Sequence, residues 1–257
     1  MEMPIPSQAV IARKTRVVDR LRQVLPADAV ISDERETRAY ECDALTAYKC
    51  APMVAVLPYT TQQVSDVLRI CHEEGVPVVP RGSGTSLAGG ALPTADCVIL
   101  GVARMNEVIE TDYPNRIIKV QTGRTNLSVT GAVEEDGFFY APDPSSQLAC
   151  AIAGNIAMNS GGAHCLKYGV TTNNLMGVTM VMADGEIVEI GGPHLDSVVV
   201  QRGHSQSVPF RLKSFKKAHD RHAAEEDLSF GPNSCRRELD LLHLIKRIQM
   251  KRVLGAV

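Results

Sequence analysis

The sequence lacks long apolar runs, and its charges nearly balance. Apolar runs such as 54–57 and 97–100 are far shorter than the roughly 20 residues that span a bilayer, so we expect no membrane-spanning segment. The formal net charge of −2 is too small to favour nucleic acid as a partner. Residues 1–16 lack the apolar stretch and small-residue cleavage site of a secretory signal, which predicts a cytoplasmic protein.

The sequence also lacks the cysteine spacings of disulfide frameworks and metal sites. Its seven cysteines are an odd number, and no two of them form a C-x-x-C motif. We therefore predict no disulfide framework, no zinc site and no iron–sulfur cluster in this chain. The cysteines are expected to be reduced and mostly buried as small apolar residues.

Apolar spacing in the first part of the chain predicts a parallel α/β layer. Residues 13–25 have helical spacing, and 53–57 read as a short strand. Thr60 and Gln63 form a capping box for a helix that Gly75 ends. The runs 76–79 and 97–102 read as two further strands. This strand–helix–strand order predicts a βαβ unit that extends to about residue 110.

A second unit with a different rhythm follows. Ile117, Ile118 and Val120 predict a strand, and Thr125 is expected to cap a helix that ends at Gly137. The alanine-rich stretch 145–159 suits a helix packed closely against a sheet or a ligand. Residues 178–190 alternate about a turn at 183–185, which predicts a β-hairpin.

Charge changes sign near residue 197. Residues 1–197 hold 15 Lys and Arg against 23 Asp and Glu, whereas 198–257 hold 12 against 6. We therefore divide the chain into an N-terminal helical segment (1–50), a first α/β subdomain (51–110), a second subdomain (111–197) and a basic tail (198–257). Within the tail, 239–254 has apolar residues at helical spacing with basic flanks, which would suit a membrane surface or an acidic partner.

A glycine-rich loop directly follows the strand predicted at 76–79. It reads Arg81-Gly82-Ser83-Gly84-Thr85-Ser86, with Gly89 and Gly90 beyond. Successive backbone N–H groups in such a turn form a nest that fits a pyrophosphate. The loop is neither a P-loop nor a Rossmann fingerprint, because no Gly-Lys-Ser/Thr follows and Leu87 stands where the third glycine belongs. A plain surface turn remains the alternative, since turns favour the same residues.

Small residues dominate a second cluster at 141–169. The stretch Pro142-Asp143-Pro144-Ser145-Ser146 predicts a rigid turn that faces an anion or a ring edge, and the glycines within 154–162 let the backbone approach a flat ligand. Close helix–sheet packing is the alternative. His164 has no second metal-type ligand at helical or turn spacing, so we expect a hydrogen-bonded structural histidine.

Four ordered motifs carry a resemblance to a known family. They are Tyr40-Glu41-Cys42-Asp43, Val79-Pro80-Arg81-Gly82-Ser83-Gly84-Thr85, Tyr140-Ala141-Pro142-Asp143-Pro144-Ser145-Ser146 and His164-Cys165-Leu166-Lys167-Tyr168-Gly169. The chain from 37 to 190 resembles the flavin-binding domain of the vanillyl-alcohol oxidase-like family, and within it the FAD-linked large subunits of bacterial glycolate oxidase. The resemblance implies an α+β (α/β) fold, namely the two-subdomain FAD-binding domain of the vanillyl-alcohol oxidase/PCMH type.

The resemblance also implies a cofactor, a reaction and partners. The cofactor is non-covalent FAD, which accepts a hydride from a small 2-hydroxy acid such as glycolate or D-lactate. The partners are a second flavin-domain subunit and an iron–sulfur subunit, with the complex cytoplasmic or peripheral to the inner membrane. No catalytic base is assigned, because the resemblance places it outside this chain. The cofactor-binding residues that it implies are Pro80, Arg81, Gly82, Ser83, Gly84, Thr85, Ser86, Gly90, Pro142, Asp143, Ser145, Ser146, Gly154, Asn155, Asn159, Gly161, Gly162, Tyr168 and Gly169.

The chain departs from the family in two places. Thr122 and Arg124 stand where similar proteins commonly have proline and a small apolar residue, and we expect a surface turn to absorb both. After Ser197 the family's Gly-Ser-Glu-Gly motif, final strands and substrate domain do not occur, which predicts an incomplete second subdomain, no substrate domain and a reading-frame change or mispredicted end at the tail. Three hypotheses stay open: an active flavin oxidoreductase subunit, an inactive truncated FAD-binding fragment, and a non-flavin module whose basic tail binds a partner.

Overall fold

A computed structural model describes residues 3–191 and, beyond them, the backbone of 201–202, 242–249 and 251–252. Within these residues the chain forms a four-stranded sheet, a six-stranded sheet and a separate two-stranded pair.

The first sheet is the predicted parallel layer. Its strands are β1 (Val30–Ile31), β2 (Val54–Val56), β3 (Val78–Arg81) and β4 (Val98–Gly101), in the order β1-β2-β4-β3. Both β2 and β3 run parallel to β4, which confirms the βαβ prediction, while β1 pairs with β2 antiparallel. The strand predicted at 76–79 is shifted by two residues, so Pro80 and Arg81 belong to the strand and the glycine loop starts at its carboxyl end.

Four helices accompany this sheet: α1 (Gln8–Ile11), α2 (Lys14–Val24), α3 (Glu34–Thr37) and α4 (Thr61–Glu74). The ends of α4 follow from its sequence. Thr60 Oγ1 accepts a hydrogen bond from Gln63 N at 3.2 Å, and Gly75 ends the helix at φ +61°. The predicted capping box is only half correct, because Gln63 Oε1 accepts from Tyr59 N and not from Thr60 N.

The second sheet is antiparallel and contains six strands. They are β5 (Val108–Asp112), β6 (Ile117–Gln121), β8 (Leu175–Val181), β9 (Ile187–Gly191), β10 (Gln201–Arg202) and β11 (Leu242–Gln249). The sheet order is β10-β9-β8-β11-β6-β5, and β8 and β9 form the predicted hairpin. A separate small pair joins β7 (Phe138–Phe139) to β12 (Lys251–Arg252).

The helix predicted at 239–254 is wrong. Residues 242–249 form β11, which pairs antiparallel with β6 on one side and β8 on the other. Two neighbouring strands with free backbone groups outweigh an apolar spacing that is merely compatible with a helix. The other predictions for the tail fall on residues 192–200, 203–241 and 253–257, which lie outside the described residues.

The helices of the second unit are α5 (Asn126–Gly131), α6 (Ile152–Ala157) and α7 (Cys165–Tyr168), and the two that were predicted, α5 and α6, are shorter than expected. Helix α5 ends well before Gly137, and its N-cap Thr125 makes no side-chain capping bond. The predicted helix at 145–159 is reduced to α6, because Pro144 O and Ser146 O accept bonds from 147–150 in tight turns. These turns leave α6 as a short element facing β3.

Three apolar clusters carry the fold. The largest joins α1, α2, α4 and the first sheet, a second packs Ile118, Val120, Val129, Tyr140 and Ile152 together, and a small third consists of Ala55, Cys97 and Ile99. The units touch where the β8–β9 turn meets α4: Ser65 Oγ donates to Gly185 O at 2.5 Å, and Ser65 is 1% exposed. This buried contact joins residues 120 positions apart and fixes the second unit against the first.

The turn after β6 is buried, which contradicts the surface turn expected at Thr122 and Arg124. Thr122 is fully buried, and Arg124 donates from Nη1 to Asn106 O and from Nη2 to Ser128 O. The turn lies tightly beneath the β4–β5 connection, since a Cβ on Gly123 would stand 1.9 Å from Val102 O. Neither Thr122 Oγ1 nor Arg124 Nε has a hydrogen-bond partner within the described part of the chain.

Candidate functional site

A cleft of about 260 Å³ opens between the loop after β3 and helix α6. Each wall is positioned by one sheet. The loop leaves the carboxyl end of β3 in the first sheet, and α6 is held by a hydrogen bond from Ala153 N to Thr122 O in the turn after β6. The predicted site residues that line it are Pro80, Arg81, Gly82, Ser83, Gly84, Thr85, Ser86, Gly90, Ser146, Gly154 and Asn155.

The other predicted site residues do not line this cleft. They are Pro142, Asp143, Ser145, Asn159, Gly161, Gly162, Tyr168 and Gly169. The sequence predictions missed four residues that do line it, Ala91, Val102, Ala151 and Ala153, and named Ala157, Met158 and Ser160 only as part of the range 154–162. The alanine-rich stretch was the available signal, since small side chains mark a close approach of backbone to a ligand.

The loop presents unpaired backbone donors. Across the described residues, no protein acceptor takes the N–H groups of Ser83, Gly84 or Thr85. Gly84 adopts φ +71°, a left-handed conformation that glycine reaches without strain. Three consecutive free N–H groups in such a turn are suited to the oxygens of an anion.

Arg81 supplies positive charge to the cleft. Among the described residues that line the cleft, its guanidinium is the one formally charged group. Arg81 Nη1 donates to Cys42 O at 2.7 Å, which holds the guanidinium beneath the loop. A Cβ on Gly84 would stand 2.4 Å from Arg81 Nη2, so a larger residue at this position would displace the guanidinium. The arrangement favours an anionic ligand.

Gly82 brings the loop close to α6. A Cβ on Gly82 would stand 3.3 Å from Ala151 Cβ and 3.6 Å from Gly154 N. Glycine and alanine therefore keep this end of the cleft open, and a larger side chain at Gly82 would fill it.

Asn155 adds an unpaired polar group to the opposite wall. Its side chain is 1% exposed, and its Nδ2 donates to no acceptor in the part of the chain that the structure describes. A buried amide without a partner costs free energy, so such a group usually has one in the functional state. A ligand oxygen in the cleft would satisfy it.

The second motif cluster forms a latch beside the cleft, made by 142–143 and 161–164. Asp143 Oδ2 lies 2.6 Å from His164 Nδ1, and Asp143 Oδ1 accepts from His164 N at 3.3 Å. His164 is thus hydrogen-bonded, as predicted. A Cβ on Gly162 would stand 1.8 Å from Asp143 O, so the two segments touch through their backbones. Burial raises the pKa of Asp143, but the bonds from His164 outweigh it and hold the pKa below its usual value.

No group of His, Cys, Asp and Glu in the described residues could hold a metal ion. The six described cysteines are free thiols, and Cys71, Cys97 and Cys150 are buried. Burial raises the pKa of the Cys71 and Cys97 thiols to about 12, which leaves them protonated at neutral pH. Across the described residues, no helix has the length and apolar character needed to span a bilayer.

A protein-family model described as an FAD binding domain matches residues 52–191, more than half of the chain. Among curated proteins, glycolate oxidase subunit GlcD of Escherichia coli K12 is 45% identical over 184 residues, which cover 72% of this chain and 37% of that protein. D-lactate dehydrogenase of Anaerostipes hadrus is 31% identical over 176 residues, covering 68% and 37%. The chain thus spans well under half the length of these relatives.

Solved structures share the fold. A structure of p-cresol methylhydroxylase with substrate bound matches with a TM-score of 0.69 and 19% identity, covering 96% of this chain and 44% of that one. At this identity the match shows the fold alone. The chain covers 44% of this solved structure, which is similar to the 37% of the two curated relatives that it covers.

Proposed function

Because the chain belongs to the family of FAD-binding domains whose model it matches, we propose that it is the FAD-binding part of a flavin-dependent 2-hydroxy-acid oxidoreductase. The fold is the two-subdomain α+β domain expected from the motifs, and FAD is the cofactor of this family. The observation that carries the proposal is the cleft, in which free N–H groups and a buried amide face each other.

The described residues fit FAD. The N–H groups of 83–85 and the Arg81 guanidinium suit the pyrophosphate, which carries the negative charge of the cofactor. The unpaired Asn155 Nδ2 suits an oxygen further along the cofactor. The cleft volume of about 260 Å³ is below the roughly 300–1,000 Å³ of whole ligand sites, so this cleft would hold part of FAD.

FAD, when bound, supplies the acceptor for the two electrons removed from the substrate carbon. This chain's residues would bind and orient it. The loop would fix the pyrophosphate, Gly82 and Gly154 would let the backbone approach, and the latch of 142–143 and 161–164 would support the wall beyond α6. We assign no base to this chain, since none of its ionisable side chains other than Arg81 lines the described cleft.

The substrate and partners follow from the relatives. We assign a small 2-hydroxy acid, either glycolate or D-lactate, because the similar proteins are named for these substrates. The subunit name of the Escherichia coli relative supports assembly with other chains, for which we propose a second flavin-domain subunit and an iron–sulfur subunit. Such a complex would be cytoplasmic, or peripheral to the inner membrane through its partners.

A second candidate is an FAD-binding fragment without activity of its own. This candidate is favoured because the match covers 37% of the length of the Escherichia coli relative. In that case the 257 residues bind FAD, yet a hydroxy acid does not reduce it, because the substrate must be held in a fixed pose for hydride transfer.

A domain exchange tests the function. Residues 52–191 of this chain would replace the aligned segment of the Escherichia coli relative, and glycolate or D-lactate would be added without oxygen. We expect bleaching of the visible flavin absorbance in the exchanged protein, at a rate within about tenfold of the parent, because the flavin-contacting residues fit the same cofactor.

The unexchanged parent controls for assembly, and the isolated 257-residue chain separates the two candidates. An exchanged protein that holds FAD at parental stoichiometry but is reduced by neither acid would contradict the oxidoreductase proposal. Bleaching of the isolated chain would instead exclude the inactive fragment.

A further inference from the structure

A segment far from the glycine loop in sequence is bound to both ends of it. We call residues 40–45 the strap. At one end of the loop, Arg81 Nη1 donates to Cys42 O at 2.7 Å, and the Arg81 guanidinium lies 5.8 Å from the centre of the Tyr40 ring. At the other end, Ala44 N donates to Ser86 O at 3.2 Å. The strap therefore holds the loop between two fixed points.

Asp43 is the most buried polar residue of the strap, with 4% of its surface exposed. Its Oδ1 accepts from Leu45 N at 2.9 Å, and its Oδ2 accepts from Gly89 N at 3.0 Å across 46 positions of sequence. A buried carboxylate is tolerated only when hydrogen bonds compensate its lost hydration, and here each oxygen has a backbone donor. One of these bonds shapes the strap and the other joins it to the loop.

The negative charge of Asp43 excludes attraction of an anionic ligand as its role. A negative group beside an anion-binding loop repels a phosphate, so Asp43 does not contribute by attraction. Its contribution is geometric. Gly89 adopts φ +76°, and its N–H bond to Asp43 fixes the turn at this position. The N–H groups of 83–85 are not used by this bond and stay available to a ligand. A loop held in its binding conformation loses less entropy when the ligand arrives.

We propose that Asp43 is a positioning residue that preorganises the glycine loop for the pyrophosphate of FAD. The proposal rests on the proposed function for the identity of the ligand. It assigns to the Tyr40-Glu41-Cys42-Asp43 motif a role in shaping the loop without contact to the cofactor.

Two substitutions at Asp43 and one matched control test the proposal. Asp43→Ala removes both acceptors, whereas Asp43→Asn keeps one oxygen and removes the charge. Asp33→Ala is the control, because the Asp33 carboxylate also accepts two backbone N–H groups but caps α3. Hydrogen exchange of the backbone amides and the affinity for FAD and ADP would be measured for each.

We expect Asp43→Ala to speed exchange in 82–90 while α4 keeps its protection, and to weaken FAD and ADP binding by about tenfold to 100-fold. Asp43→Asn should recover at least part of that loss, and Asp33→Ala should leave affinity and loop exchange unchanged. Faster exchange over the whole chain, unchanged or tighter FAD binding by Asp43→Ala, or no recovery by Asp43→Asn would overturn the proposal.

The affinity measurement and the hydrogen-exchange measurement separate this proposal from the proposed function. If the unmodified chain bound no FAD, the proposed function would fail. The exchange arm would still decide whether Asp43 orders the loop: unchanged exchange in 82–90 of both variants would overturn the positioning role without reference to any ligand.

Discussion

At the scale of single residues, Thr122 stands in a position that a hydroxyl does not suit. It is fully buried, and its Oγ1 has no partner within the described residues. Thr122→Val keeps the shape and removes the unpaired group, so we expect the free energy of unfolding to rise by about 1 kcal/mol. Urea unfolding of the two proteins, with unchanged m-values, measures the difference.

Thr171→Val is the matched control for this prediction. Thr171 is equally buried, at 1% exposure, but its Oγ1 donates to Ser160 O at 2.6 Å. The same exchange there should lower the free energy of unfolding by about 1–2 kcal/mol. If both variants were destabilised alike, the missing partner of Thr122 would not be the cause.

Residue identities predicted the loop side of the cleft better than its far side. The loop from Arg81 to Ser86 could be recognised from its sequence, because Gly84 meets a requirement for positive φ that is local to the chain. The contact of the Asp143 carboxylate with His164 was not predicted, because a contact across 21 positions depends on how the two segments pack. Thr122 was placed on the surface for the same reason: burial by the β4–β5 connection is not visible in the residues next to it.

At the scale of elements, an ion-pair cluster docks α2 on the end of α4. Glu74 is buried, and its carboxylate meets Arg16 Nη2 at 3.0 Å, Arg20 Nη1 at 2.8 Å and Arg13 Nη1 at 3.7 Å. The hydrogen bond from Arg20 lowers the pKa of Glu74, burial raises it, and the charge of Arg16 lowers it further, so the net pKa lies below its usual value of 4.5. The cluster therefore stabilises the docked helices when Glu74 is ionised.

Glu74→Gln should lower the free energy of unfolding by about 1–2 kcal/mol near neutral pH, because the arginines are partly exposed and solvent screens them. A depressed pKa in the folded state contributes stability above the unfolded pKa and loses it as the pH falls through the folded pKa. The difference between the two proteins should thus be constant at neutral pH and shrink below pH 4.5.

Glu73→Gln is the control for this prediction. Glu73 is 49% exposed and, among the described residues, forms an ion pair with Arg20 alone, at 2.5 Å, so the effect should be less than half as large. Urea unfolding from neutral to acidic pH measures both variants. Equal losses for the two variants, or a Glu74→Gln loss that grows on acidification, would contradict this account.

Elements with their own end signals were predicted well. Helix α4 has a capping threonine and a closing glycine within its sequence, and the β8–β9 hairpin has its turn. Helix α6 was predicted too long and strand β11 was misassigned, because their form depends on neighbours that lie far away in the chain. For β11 the neighbours are β6 and β8, both more than 60 positions earlier.

At the scale of the whole molecule, two sheets of different kinds position the two walls of the cleft. The parallel sheet provides the loop at the carboxyl end of β3, and the antiparallel sheet supports α6 through the turn after β6. The parallel direction of β2, β3 and β4 followed from the strand–helix–strand rhythm. The insertion of β11 between β6 and β8 did not, because nothing in its own sequence specifies which strands it joins.

Binding of FAD to the 257-residue chain tests the central claim most directly. Calorimetric titration of FAD, followed by displacement with ADP, would be compared for the unmodified chain, Gly82→Val and Gly131→Val. A side chain on Gly82 enters the cleft 3.3 Å from Ala151 Cβ, whereas one on Gly131 meets nothing within 4 Å. We predict one FAD per chain, displacement by ADP, affinity lowered at least about tenfold by Gly82→Val and unchanged affinity for Gly131→Val. A chain that binds no FAD, or a folded Gly82→Val variant that binds it as tightly as the unmodified chain, would contradict the assignment of this cleft to the cofactor.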